Sequence, residues 1–326
     1  MEAEPKTLQE AIVYFSNPDN CLSYLAARRW PNGVICPTCG NTGANFLKNQ
    51  RRWECKAKHA KKQFSVKVGT IFEDSAISLD KWLTAVWMMT SAKNGISSWE
   101  IHRALGVTQK TAWFMLQRIR LAMQDESAGK LGGGSGEVEV DETYIGGKAR
   151  NMHKDKKARK LEGKGGGAVG KVGVQGALER GGEVRVNVIR DSKHGTLVPN
   201  IRQNVAKGVH LFTDEASAYF DLGPEYVHDF INHAEAYAVG QIHTNGLENF
   251  WSLLKRNLSG TYVSVEPFHL FRYLDEQAFR YNNRKDMTDA DRFSKALTQI
   301  VGKRLTYKEL TGKDGQRNEE TRPEIF

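Results

Sequence analysis

The sequence predicts an α/β protein, with a mixed sheet flanked by helices that follows a small cysteine-bearing module and a helical block. Three observations carry that expectation. Cys36, Cys39 and Cys55 cluster within twenty residues. Apolar residues then recur at helical spacing from Trp82 to Ile119. Beyond the glycine-rich stretch Lys130–Gly136 the pattern switches to strands alternating with helices. These changes set the boundaries: an N-terminal helical segment over 1–30, the cysteine module over 31–75, a helix-turn-helix over 76–129, a linker over 130–136, the sheet domain over 137–285, and a C-terminal helix and tail over 286–326.

The N-terminal segment reads as a short amphipathic helix through Leu8, Ile12 and Phe15, then a second helix from about Cys21 to Arg29. In the next module, Cys36-Pro-Thr-Cys39-Gly40 sets two thiolates on a tight knuckle, with glycine permitting the turn. Fifteen residues separate Cys39 from Cys55, and His59 stands four beyond Cys55. Soft and borderline ligands at that spacing suit tetrahedral Zn2+. A repeat of the first knuckle would put its fourth ligand at Lys58, which cannot serve, so His59 completes an expected Cys3His site. Cys21 lies in an apolar helical context and reads as a packed core thiol. With no export signal in view, this cysteine usage favours metal over disulfides.

In the helical block, Ser97 or Ser98 can cap a helix ending at Leu105, and Gly106 allows a left-handed turn. Thr108 caps the following helix, which turns Trp113, Leu116 and Ile119 inward. Gln109 and Lys110 would then face a DNA major groove, with Arg118 and Arg120 available for phosphates. A helical hairpin that merely packs is the bland alternative. The formal charge of +9 argues for DNA chiefly through its distribution, since eight Lys/Arg against two acids lie between Lys148 and Lys164, Lys156 and Lys157 among them.

Past the glycine stretch, Glu137-Val-Glu-Val-Asp141 alternates as a half-buried strand should. Residues 168–178 and 183–189 form two more strands, joined by the turn Arg180-Gly181-Gly182. A helix near 197–206, a strand over 209–213, a strand over 226–231, and helices over 244–258 and 267–283 complete the domain, and a weaker helix at about 294–301 follows in the C-terminal segment. Two strands end in carboxylates, Asp141 and Asp214. Asn245, Glu248 and Lys255 share one helical face, while Leu247, Phe250, Trp251 and Leu254 share the other. Asp141 and Asp214 are 73 positions apart, and Glu248 follows 34 later. Two strand-end aspartates and a helical carboxylate can hold two Mg2+ (or Mn2+) ions for an in-line displacement at phosphorus. Lys255, farther along the helix, would then contact DNA phosphate.

The strings VEVDETYIGGK (138–148), FTDEASAY (212–219) and HTNGLENFWSLLKR (243–256), with GTY at 260–262 and FRYNNR at 279–284, resemble bacterial insertion-sequence DDE transposases of the group related to Merlin elements. The similarity spans about residues 25–285 and includes an N-terminal zinc ribbon. It implies an RNase H-like catalytic domain and double-stranded DNA, both element terminal inverted repeats and target, as partner. Structural Zn2+, catalytic Mg2+ or Mn2+, and a homo-oligomer on DNA are implied as well. It carries the acidic triad onto Asp141, Asp214 and the 243–256 helix, with Lys255 as the accompanying basic residue; Arg256 beside it is expected to contact DNA. Two departures stand out. The family's second knuckle is usually CxxC, whereas here it reads Cys55-Lys-Ala-Lys-His59. The family's third catalytic position is often asparagine, so Asn245 and Glu248 both remain open, although a carboxylate holds Mg2+ better than an amide does. A DNA-binding regulator and a nuclease or resolvase on the same fold are the rival functions. No stretch is apolar enough to span a membrane, and a cytoplasmic, nucleoid-associated protein is expected.

Overall fold

A computed structural model describes residues 4–125, 129–133, 136–147, 170–214, 217–223, 225–231 and 244–312. The chain divides into two compact units, Met1–Asp125 with Asn283–Gln316, and Glu126–Asn282 with Arg317–Phe326.

The first unit opens with helices α1 (Leu8–Phe15) and α2 (Pro18–Arg29), each capped by the residue before it, Thr7 and Asn17. Asn17 suits that role because its side-chain oxygen accepts from the Asp19 amide, and Pro18 at the first helical position removes a donor that would have no partner. Strands β1 (Ala44–Leu47), β2 (Arg52–Cys55) and β3 (Gln63–Phe64) form a small antiparallel sheet. Its hydrophobic support is aromatic: Trp53 stacks on Phe64 at 6.2 Å, and Trp30 meets Trp53 edge-on at 5.1 Å.

Three helices follow, α3 (Leu79–Ser91), α4 (Ser98–Leu105) and α5 (Gln109–Ala122). The turn between α4 and α5 forms from the residues the sequence singles out. Ser97 and Glu100 make a reciprocal capping box, Gly106 takes φ 60°, and Thr108 accepts the Thr111 amide. Leu116 and Ile119 are buried as expected, while Trp113 is only half-buried. Helices α9 (Asp289–Thr298) and α10 (Tyr307–Thr311) return to this unit from the end of the chain. Phe293 lies 4.7 Å from Trp87 and 5.8 Å from Phe15, so the C-terminal helix completes the core of the N-terminal unit.

The second unit is built on a five-stranded mixed sheet of order β6-β5-β4-β7-β8. Its strands are β4 (Glu137–Ile145), β5 (Val172–Glu179), β6 (Val184–Ile189), β7 (His210–Asp214) and β8 (Val227–Ile231). The β4–β5 and β5–β6 pairs are antiparallel, whereas β4–β7 and β7–β8 are parallel. The β5–β6 connection is the expected tight turn, with Gly181 at φ 78°. One face is covered by α6 (His194–Asn204), whose Leu197, Val198 and Ile201 pack with Val138, Val140 and Leu211. The other face is covered by α7 (Asn245–Gly260) and α8 (Leu270–Asn282). Being covered on both sides, β5 is buried almost along its whole length, which its Val, Gly and Ala content anticipates.

The stretch expected as a linker is partly structural. Leu131 is 2% exposed, and its backbone bonds to Asn204 and Ala206. Gly132, at φ +102°, packs where a Cβ would sit 2.3 Å from a Val209 methyl. The two motifs near the end of the unit also have structural work. Tyr262, of the GTY string, and Arg280, of FRYNNR, both bond the fully buried Glu276. Asn282 clips the start of β6 by accepting from Val184 N at 2.8 Å and donating to Val184 O at 3.0 Å.

Two glycines set how closely α7 approaches the sheet. A Cβ on Gly176 of β5 would lie 2.7 Å from the Trp251 ring and 2.9 Å from Leu247. A Cβ on Gly246 would lie 2.5 Å from Leu178 and 2.7 Å from a Glu139 oxygen. Gly176→Ala therefore forces helix and sheet apart. It is expected to lower unfolding stability by about 1–3 kcal/mol in urea titrations, as overpacking does. Gly195→Ala, whose added methyl meets nothing within 4 Å, is the control that leaves stability near its original value.

Candidate active site and metal centre

The cysteine module forms a closed ligand cluster. Cys36 and Cys39 sit on a knuckle held by Cys36 N to Asn41 O and Gly40 N to Cys36 O, both 2.9 Å, with Gly40 at φ 73°. Cys55 ends β2, and its amide bonds Lys62 O at 2.9 Å. Cys36 Sγ lies 3.6 Å from His59 Nε2, Cys39 Sγ lies 3.6 Å from Cys55 Sγ, and all four ligand atoms fall within 4.8 Å of one another. A tetrahedral ion with bonds of about 2.3 Å holds its sulfur ligands about 3.8 Å apart, so the donor set and its spacing fit Zn2+. All four cysteines are free thiols, and 3.6 Å is far too long for a disulfide. Burial opposes ionisation of Cys36. The amides of Thr38 and Cys39 and the neighbouring thiols outweigh it and bring that thiol down to about 7, toward the thiolate a metal needs.

In the second unit, the carboxylates gather on the sheet face that α7 covers. Side chains alternate along β4, so Val138, Val140 and Glu142 point one way, while Glu139 and Asp141 point toward α7. The β4–β7 register pairs Glu139 with Phe212. Continued by two residues, that register sets Asp141 level with Asp214, whose charge opposes the ionisation of Asp141. Asp214 ends β7 as expected, but β4 pairs with β5 as far as Ile145, so Asp141 lies inside its strand and not at the end the alternation suggested. Opposite Asp141 on β5 stands Gly176, and the Trp251 ring rests over that gap. Trp251 Nε1 donates to Asp141 Oδ2 at 2.9 Å.

The electrostatics match this placement. Burial pushes Asp141 up to about 6. The Trp251 and Glu142 N–H groups work against that, and the charges of Asp214 and Glu248 add to it. Glu248, in the first turn of α7, is exposed and close enough to oppose the ionisation of Asp141. Asn245, the first residue of the same helix, is also exposed. Lys255 and Arg256 are exposed farther along α7. Asp214 and Glu248 repel a charge on Asp141, which a cation would relieve, and hard oxygen donors of this kind suit Mg2+ or Mn2+; among the described residues, however, only the Cys3His set has its ligand atoms already gathered around one point.

Glu142 is a group the sequence reasoning passed over. Burial, then Asp214 and Asp141, push its carboxyl up to about 8, and the Gln175 side chain only partly offsets them. The signal that could have found it is a second carboxylate directly after Asp141, on the strand face turned away from α7.

The residues expected at DNA have different fates. Gln109 is half-buried and donates to Ser98 Oγ at 2.9 Å, while Lys110 is exposed, its ammonium 4.5 Å from the Tyr307 ring. Arg118 and Arg120 depart from expectation, since they are only 4% and 1% exposed. Arg118 donates to the carbonyls of Leu305, Ile71 and Glu73, so its guanidinium ties α5 to the C-terminal segment and faces no phosphate. The helical period that puts Leu116 and Ile119 inward brings these neighbouring positions inward too, because helices pack on α5 from several sides. Lys156 and Lys157 lie outside the described residues.

Two outcomes are expected. Purified protein carries one zinc per chain by elemental analysis, and Cys36→Ser abolishes it together with the cooperative unfolding of the ribbon. For Glu142, the carboxyl ionises near its ordinary 4.5 in the unfolded chain and near 8 in the folded one. The folded state thus loses stability as pH rises through that interval. Glu142→Gln removes the loss, so its stability relative to the parent rises between pH 5 and pH 8 in parallel urea titrations. An unchanged difference would show that Glu142 ionises freely in the fold.

Comparison with known proteins agrees with this layout. Residues 133–282 match the family model of the ISXO2-like transposase domain, and residues 16–60 match that of the transposase zinc-ribbon domain. Over 259 residues the chain is 29% identical to an uncharacterized protein in the transposable element ISH50 of Halobacterium salinarum, a match covering 76% of this chain and 85% of that protein. The ribbon match contains Cys36, Cys39, Cys55 and His59, and the other contains Asp141, Asp214 and Glu248. In the order the residues predict, the chain thus carries a match to the transposase zinc-ribbon domain followed by a match to the ISXO2-like transposase domain.

Proposed function

We propose that this protein cleaves the ends of its insertion sequence and joins the resulting 3'-hydroxyls to target DNA, with Asp141, Asp214 and Glu248 holding catalytic Mg2+ or Mn2+. The observation that carries the reading is the placement of Asp141 and Asp214 on adjacent parallel strands, with Glu248, in the first turn of α7, near enough to oppose the ionisation of Asp141. The sheet order, three antiparallel strands continued by two parallel ones with helices on both faces, supports an RNase H-like catalytic domain. The capped α4–Gly106–α5 pair supports a helix-turn-helix that presents Gln109 and Lys110 to DNA.

In cleavage, a water oxygen bonds to phosphorus as the bond to the 3' oxygen at the element end breaks, leaving a 3'-hydroxyl and a 5'-phosphate. In joining, that 3' oxygen bonds to a target phosphorus and displaces a target 3' oxygen. A divalent metal pair, when bound, supplies activation of the attacking oxygen and charge neutralisation at the leaving one. Trp251 and the Glu142 backbone orient the Asp141 carboxylate, the indole N–H bonding Oδ2 at 2.9 Å and the Glu142 N–H bonding Oδ1 at 2.8 Å, so each oxygen would meet a metal through its remaining lone pairs. Lys255 and Arg256, on the exposed part of α7, would grip the DNA backbone beside the scissile bond. The basic segment 148–164 would extend that grip. Two ends must be brought together, so a homo-oligomer assembled on double-stranded DNA follows. Among the described residues no helix is long and apolar enough to cross a membrane, and a nucleoid-associated protein in the cytoplasm fits such a partner.

Labelled element ends, Mg2+ and a target plasmid test the proposal. Joined products are expected from the parent, and none from Asp141→Asn or Asp214→Asn. Cleavage without joining would mark a nuclease instead, and binding alone a regulator. Glu248→Gln is expected to lose at least 100-fold in rate, near the loss for one strong electrostatic contact at a reacting centre, whereas Asn245→Ala loses less. The reverse order would move the third position to Asn245.

A further inference from the structure

Directly beneath the three acidic residues runs a buried ionic link that the proposed chemistry does not use. Glu139 is 1% exposed and lies two residues before Asp141, on the same face of β4. Its Oε1 accepts from Arg180 Nε at 3.2 Å, and its Oε2 accepts from Leu247 N at 3.1 Å. Leu247 is the third residue of α7 and immediately precedes Glu248. Arg180, from the β5–β6 turn, lays its guanidinium 3.9 Å from the centre of the Phe212 ring, and Phe212 lies two residues before Asp214. One carboxylate–guanidinium pair thus touches all three segments that bear the acidic residues, within two positions of each.

We infer that Glu139 is a positioning residue of the metal site, which with Arg180 fixes the spacing of Asp141, Asp214 and Glu248. This rests on the metal-site reading above. Burying a carboxylate is costly, and an apolar side chain would pack the same space at least as stably, so a retained buried pair points to geometry as its role. The local details agree. The first amides of a helix lack partners within it and carry its positive end, and the residue before α7, Thr244, makes no side-chain cap bond to it. Glu139 supplies that cap from the sheet, so the helix start is registered against β4 itself. Gly246 admits the contact, since a Cβ there would sit 2.7 Å from Glu139 Oε2.

The test is metal affinity, read without catalysis. With zinc loaded, Mn2+ binding is followed by the electron paramagnetic resonance signal of free Mn2+. In Glu139→Gln one acceptor oxygen becomes an amino group, which must face a donor, either Arg180 Nε or Leu247 N. Mn2+ is then expected to bind about 10- to 100-fold more weakly, as when a group supporting metal ligands is altered. Arg180→Met, which keeps apolar contact with Phe212 and loses the charge, is expected to weaken binding likewise and covers the case in which Glu139→Gln fails to fold. Val198→Ala, a core change on the face that α6 covers, is expected to lower the melting temperature and leave Mn2+ affinity intact, which separates positioning from general stability. Parental affinity in Glu139→Gln and Arg180→Met, with Asp214→Asn weakened, would overturn the positioning role alone. Parental affinity in Asp214→Asn as well would bring down the metal-site reading and this inference with it.

Discussion

The close seating of helix Asn245–Gly260 on the sheet is the constraint on which the catalytic unit depends. Asp141 and Asp214 are brought level by the register of two adjacent parallel strands, which pair as far as Glu139 and Phe212. A helical carboxylate joins them only if the helix lies nearly in contact with the strands. Gly176 and Gly246 remove the side chains that would hold it off, and the Trp251 indole fills the space above Gly176 and bonds Asp141. The same tryptophan therefore packs the core, sets the helix height and orients a proposed metal ligand. Apolar packing sets how close the helix lies, and the indole bond, with that of the Glu142 amide, orients the carboxylate.

That seating also concentrates negative charge. Asp141 and Glu142 are both pushed upward by burial and by neighbouring carboxylates, so the metal-free fold holds its site at an electrostatic disadvantage. Local strain of this kind is expected where a cation is to be captured, because the free energy released on binding is the repulsion removed. The zinc module stands in contrast. Its ligands sit on turns of a three-stranded sheet with little core beyond a few rings, and there a metal contributes to folding itself.

Much of this was legible in the residues, and the limits of legibility have physical causes. The ligand set Cys36, Cys39, Cys55 and His59 follows from spacing because turn geometry is local. The α4–α5 turn was equally plain, since capping and left-handed glycine are local too. The strand end at Asp214 and the face of α7 followed from local periodicity, whereas β4 runs past Asp141 to Ile145 because β5 pairs with it along that whole length. The burial of Arg118 could not be foreseen, because its carbonyl partners at Ile71, Glu73 and Leu305 come from distant parts of the chain. For the same reason the return of Phe293 to the N-terminal core was hidden. Glu139 read as an ordinary alternating strand residue, and only its contacts with Leu247 and Arg180 set it apart.

The most direct measurement of the central claim is anomalous X-ray scattering at the manganese edge from crystals soaked in Mn2+. The account predicts a peak between the carboxylates of Asp141 and Asp214, within coordination distance of Glu248. A peak elsewhere, with no anomalous density between the two aspartates at saturating Mn2+, would contradict it.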